Sequence, residues 1–229
     1  MLRRIRASVR RRFDGAVLDD ERFWALRPGS KAFAGLADWP SVEAIDAALS
    51  ARAGVRFVPA RKRPRRQRGP VDLDDLYDAH IVRGEVPTRA RDWHDLLNAL
   101  VWASFPRSKA ALHARQHHAV QAWARERGTM LDDHTVAHLP NARTRELDAL
   151  ALLDEGGVLL LGKRRILFGH AHYEGMALGV PAMIGRVLRL DAGDPGEPEQ
   201  AVAAADAEFA QRLTEPLAPE DLPRSSTSW

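Results

Sequence analysis

Residues 92–105 constrain this chain more than any other stretch. Trp93, Leu96, Leu97, Leu100, Val101 and Ser104 recur at helical spacing and form a wide stripe, so a helix here needs a packed surface against it. Asp92 and Asp95 suit the positive end of that helix, and Pro106 stops it. Pro is tolerated in the first turn of a new helix, so residues 107–127 are expected to continue as a second long helix ending at Gly128. Leu73, Leu76, Tyr77, His80 and Ile81 predict a third amphipathic helix over 72–83. Leu76, Trp93, Leu97, Leu100, Val101 and Trp102 are the expected centre of the core.

The C-terminal half carries shorter signals. Residues 158–161, 166–169 and 181–190 are strand candidates, residues 170–178 a short helix and residues 199–213 an Ala-rich helix. Asp154-Glu155-Gly156-Gly157 lies between two apolar runs and has the composition of a β-hairpin turn, with a helix ending at Gly156 as the rival reading. Earlier, Ser41 can cap a helix over 42–52 that Gly54 stops, and residues 55–58 suit a strand. The fold class is therefore α+β and predominantly helical, with central helices and a small antiparallel sheet in the C-terminal half.

At 229 residues, 45% hydrophobic and 28% charged, the chain can bury a core of useful size. It has no Cys, which excludes disulfides, zinc–thiolate sites, iron–sulfur clusters and a Cys nucleophile. No apolar run approaches the roughly 20 residues that span a bilayer, and no apolar segment follows the basic N-terminus. A cytoplasmic protein of bacterial type, without membrane contact, is the expectation. Residues 1–12 and 61–68 each carry six basic groups and no acid; removing those twelve charges from the net +3 leaves −9 on the rest. These tracts fit a basic mobile arm over 1–14 and an exposed basic loop over 61–70. Between them and an acidic, Pro-containing tail at 214–229, residues 15–213 form the expected single globular domain. The tracts admit weak, non-specific contact with nucleic acid, but no aromatic residues are interleaved for base stacking.

The order Pro87-Thr88-Arg89, Trp93-His94-Asp95, Asn98, Val101-Trp102, Phe105-Pro106 and Lys109 resembles the pattern of the bacterial domain-of-unknown-function family 3025. Trp39-Pro40, Leu153-Asp154-Glu155-Gly156 and Phe168-Gly169-His170 extend the resemblance over roughly residues 36–185, while His113 stands where the pattern has Asn. The resemblance implies membership and brings no activity with it.

His94, Asp95 and Asn98 are the candidate catalytic residues. His94 and Asn98 are four apart and share the helix face that borders the apolar stripe. Either they serve a polar pocket with His94 as base or ligand, or they pin this helix to its neighbour. His170 and Glu174 form a second i, i+4 pair after a strand, so His94, Asp95, His170 and Glu174 are the donors offered to a divalent metal ion. Arg89, Arg107 and Lys109 flank the His94 helix and are the candidate clamp for a small anionic substrate. His172 is expected at the surface. His113, His117 and His118 are expected on a solvated or half-buried helix face. No P-loop, G-x-G-x-x-G, H-E-x-x-H or G-x-S-x-G is present. The expected function is a metal-assisted or His-based hydrolase-like enzyme acting on a small anionic substrate. The alternative is a non-catalytic nucleic-acid-binding, anion-binding or interaction protein with a structural polar core.

Overall fold

A computed structural model describes residues 12–60, 69–137 and 144–228. The chain enters through 3₁₀ turns at Gly15–Asp19 and Glu21–Leu26 and a short helix α1 (Arg27–Ser30). Helix α2 (Val42–Ala53) begins where the Ser41 hydroxyl accepts from the Ala44 N–H at 3.1 Å, and ends at Gly54, whose φ of +70° few other residues adopt. Then come β1 (Arg56–Pro59), β2 (Val71–Asp72), α3 (Tyr77–Val82), β3 (Glu85–Thr88), α4 (Trp93–Ser104), α5 (Pro106–Glu126) and β4 (Thr135–Val136). The C-terminal half runs α6 (Arg145–Gly156), β5 (Gly157–Leu161), β6 (Arg164–Leu167), α7 (His170–Ala177), β7 (Ala182–Leu190), α8 (Pro198–Arg212) and β8 (Arg224–Ser228).

Helix α4 is the axis of the molecule. Ten of its twelve residues are buried, so the stripe predicted on one face is in fact surrounded. The Asp92 carboxylate accepts from the Asp95 N–H at 3.3 Å and fixes its start. Trp93 closes one end of the core, 5.2 Å from the rings of both Phe13 and Trp39, with its indole N–H donating to the Arg12 carbonyl at 3.1 Å.

Helix α5 has Pro106 at its start and no cap from its own sequence. Asp206 of α8 supplies one instead. Its carboxylate accepts from the backbone N–H groups of Arg107 (3.2 Å) and Ser108 (2.7 Å), and the Ser108 hydroxyl donates to the Asp206 carbonyl at 2.8 Å. Asp206→Ala is therefore expected to lower stability by about 1–2 kcal/mol, the range for loss of a helix cap. Denaturant unfolding measures this, and an unchanged midpoint would mean that water replaces the carboxylate without loss.

The main sheet has the order β6-β5-β7-β8. Strand β5 pairs antiparallel with β6 (Leu159 opposite Ile166) and parallel with β7 (Leu159 opposite Leu188). β8 closes the edge antiparallel to β7. Two-stranded sheets β1–β3 (parallel) and β2–β4 (antiparallel) lie elsewhere.

The α+β, predominantly helical class stands, with five differences in detail. The sheet is mixed, because β6 and α7 intervene between β5 and β7 and form a crossover connection. Asp154-Glu155-Gly156 is the last turn of α6, as in the rival reading, and not a hairpin. Gly157 serves the abrupt helix-to-strand change: a Cβ there would stand 2.4 Å from the Leu153 carbonyl oxygen. The helix expected over 72–83 shrinks to α3. Asp72 caps a 3₁₀ turn at Leu73–Asp75, and extended Leu76 packs half-buried on a separate cluster of Leu73, Ala124 and Val136. Finally, the acidic, Pro-containing tail expected over 214–229, loosely ordered beyond about Leu217, is docked as far as it is described, with Leu217 and Leu222 in the core and β8 in the sheet. Residue 13 of the expected basic arm is also in the core. Residues 1–11 and the basic tract 61–68 lie outside the described residues. No described helix is long and apolar enough to cross a membrane.

Candidate metal centre

Three chain segments meet at one place: the first turn of α4 with His94, the last turn of α6 with Asp154 and Glu155, and the first turns of α7 with His170 and Glu174. Backbone contact between two junctions brings them together. The N–H groups of Phe168 and Gly169 both donate to the Gly157 carbonyl, at 3.0 and 2.9 Å. A Cβ on Gly169 would lie 2.4 Å from the Gly157 nitrogen and 2.5 Å from the Glu155 carbonyl oxygen, so only glycine permits this approach. The residue after Gly169 is thereby set beside Glu155.

The Nε2 atoms of His94 and His170 are 3.0 Å apart, with ring planes at 82°. A Glu155 carboxylate oxygen is 3.5 Å from the His170 Nε2, and one donor atom from each of His94, Glu155 and His170 lies within 4.8 Å of the others. The far nitrogen of His94, Nδ1, faces a Glu174 oxygen at 3.1 Å. His170 is buried and forms the floor, while the side chains of His94 and Glu155 are 30% and 54% exposed and form an open rim.

The protonation chemistry follows from these contacts. The hydrogen bond to the Glu174 carboxylate raises the pKa of His94 against the opposing effect of burial. Burial pushes His170 down to about 3, although the Asp154 charge opposes this, so at neutral pH its ring is uncharged. Burial raises Glu155, with the His94 charge opposing. The Glu174 carboxylate can only accept, so its contact favours N–H at His94 Nδ1, and in the neutral ring Nε2 is then the atom turned to the cluster. Two facing Nε2 atoms need one shared proton or one cation between them. Two imidazoles and a carboxylate form a donor set that suits a first-row divalent ion.

The other expected site residues are placed differently. Glu174 orients His94 from behind and is not in the converging trio. Asp95 is held by Arg89 through two side-chain contacts (2.6 and 3.0 Å) and the Arg89 backbone N–H, so Asp95 is turned to Arg89 and not to the cluster. The Asn98 side-chain oxygen accepts from the Lys109 ammonium at 2.8 Å, and its amide donates to the Tyr77 hydroxyl at 3.3 Å. Lys109 is wholly buried and also donates to Asp154 at 2.5 Å. Arg107 is exposed, with its backbone N–H on Asp206. The three cations expected as an anion clamp thus do not converge on the cluster: Arg89 is turned to Asp95, Lys109 is buried on Asp154 and Arg107 is exposed.

Two histidines are also more deeply set than expected. His172 is fully buried, with its Nε2 donating to the Gly156 carbonyl at 3.1 Å. His113 is buried against Trp102 (5.7 Å, planes at 8°) with Nδ1 on Asp78 at 2.8 Å. Sequence reasoning missed Glu155, because Gly156-Gly157 read as a turn. The signal that finds it is the uninterrupted 145–156 amphipathic pattern, which makes Glu155 a helix-end residue.

Fold and centre together define a predominantly helical α+β protein with a candidate site of two histidines and one carboxylate. Residues 55–167, just under half of the chain, match the model of the family described as protein of unknown function (DUF3025), and the chain resembles that family over this stretch. His94 and Glu155 fall inside it and His170 three residues beyond. No curated protein matches. Among solved structures, phenylalanine hydroxylase from Chromobacterium violaceum with bound oxidized Fe(III) is 13% identical, with 94% of this chain and 87% of that one covered at a TM-score of 0.44. The same enzyme bound to cobalt is 13% identical over 87% and 76%, with a TM-score of 0.43. Likeness at this level defines neither a shared fold nor a shared chemistry.

Proposed function

We propose that this protein is a metal-dependent enzyme in which His94, His170 and Glu155 hold one divalent cation and a small anionic substrate is hydrolysed. The observation that carries the reading is the convergence of the two Nε2 atoms, 3.0 Å apart, with the Glu155 carboxylate. Nitrogens about 2.0–2.1 Å from a common ion come this close when the angle at the ion is near 90°. A bound ion would polarise a substrate oxygen and lower the pKa of a coordinated water. The chain's own groups do the rest. His170 gives a rigid, uncharged donor from the floor, Glu174 fixes the tautomer and tilt of His94, and the exposed Glu155 leaves the outer side open to ligand. With Arg89 and Lys109 already paired, the cation itself would supply the attraction for an anionic group.

The test is an assay of phosphate- and carboxylate-ester hydrolysis on chelator-stripped protein reloaded with zinc, manganese, iron(II) or cobalt. Activity should return with one of these ions, and Glu155→Gln should remove it. Hydrolysis indifferent to chelation and reloading would contradict the proposal. A further expectation concerns Glu174. Glu174→Gln should weaken cobalt(II) binding about 10–100-fold, the usual effect of removing the partner that orients a ligand histidine. In the wild-type chain, affinity should also fall on acidification, because protons compete with the ion for His94, whose pKa is raised, while His170 stays uncharged. Titrations at several pH values measure both effects, and affinity that ignores pH would speak against imidazole donors.

A further inference from the structure

We infer that Lys109 is a positioning residue for this centre, joining the three segments that carry its donors. The inference rests on the metal reading above. The Lys109 ammonium donates to the Asn98 side-chain oxygen at 2.8 Å, and Asn98 is one helical turn after His94 on α4. It donates to Asp154 at 2.5 Å, and Asp154 immediately precedes Glu155 on α6. It lies 6.0 Å from the centre of the Phe168 ring, two residues before His170, and 5.6 Å from that of Trp102. One side chain thus hydrogen-bonds to the segments that carry His94 and Glu155 and faces a ring of the segment that carries His170.

A merely space-filling role does not account for this choice. Lys109 is 0% exposed, and burying an ammonium is costly, whereas an apolar side chain of similar length would fill the same volume. What an ammonium adds is direction. It holds oxygens from two different helices at fixed distances, as the outer partners of a metal site do. His113 lines the same network, its Nε2 4.0 Å from Asp154 and its Nδ1 on Asp78, so the anchor extends away from the centre along α5 and α3.

The experiment compares the full wild-type chain with Lys109→Met and with the double variant Lys109→Met/Asp154→Asn. Cobalt(II) alone is the probe, read by its visible absorption and by titration, beside the melting temperature of each metal-free chain. The single variant leaves the half-buried Asp154 without its ammonium partner and should melt lower. The double variant removes both charges at nearly constant volume and should regain most of that loss. Positioning predicts that the double variant, though folded, binds cobalt(II) at least about tenfold more weakly, with an altered absorption spectrum. Wild-type affinity and spectrum in the double variant would overturn the inference while leaving the metal site intact. A wild-type chain that takes up no cobalt(II) would overturn the metal reading itself, and this inference with it.

Discussion

His170→Ala is expected to leave the chain folded and to weaken cobalt(II) binding by about a thousandfold or more. Loss of a partner that merely orients a ligand costs about 10–100-fold, and loss of a donor costs more. His170 is the innermost of the three, buried and uncharged at neutral pH. The truncation removes a ring from a site already polar on one side, and its stability cost should stay in the ordinary range of about 1–3 kcal/mol. Titration of metal-stripped wild type and variant, with melting curves beside them, separates the two effects. Equal affinities in folded proteins would show that the imidazole is structural.

The second large effect is expected at Gly169. Alanine there places a Cβ 2.4–2.5 Å from backbone atoms of Gly157, Gly156 and Glu155, and backbone at a helix-to-strand junction cannot rotate aside as a side chain can. The junctions must part, breaking the two hydrogen bonds to the Gly157 carbonyl and moving His170 away from Glu155. We expect a loss of about 3 kcal/mol or more, and weakened metal binding in whatever protein folds. Gly35→Ala is the control: its Cβ would meet nothing within 4 Å, so stability should change by no more than about 1 kcal/mol. Similar denaturation midpoints for the two variants would contradict the close-contact account.

The pattern of what was legible in the sequence has physical causes. Helix α4 was legible because its apolar spacing is local and strong. His94 and His170 stood out because each begins an i, i+4 polar pair at a place where a fold can present side chains. Their partners were harder. Glu155 and Glu174 exchange the roles their spacing suggests: Glu174 reaches the back of His94, and the carboxylate at the front comes from a helix end that glycines disguised as a turn. Lys109 was visible as a cation beside the site, but its burial depends on α6 and α7 packing over it, which no local pattern encodes. The Asp206 cap of α5 and the parallel pairing of β5 with β7 are likewise long-range choices.

The central claim is that one ion sits between His94, His170 and Glu155. Crystals grown with cobalt(II) and measured at the cobalt absorption edge test it directly. The account predicts one strong anomalous peak, about 2.0–2.2 Å from the Nε2 atoms of both histidines and from a Glu155 oxygen. No peak at this position, with the two imidazoles still in direct contact, would contradict it.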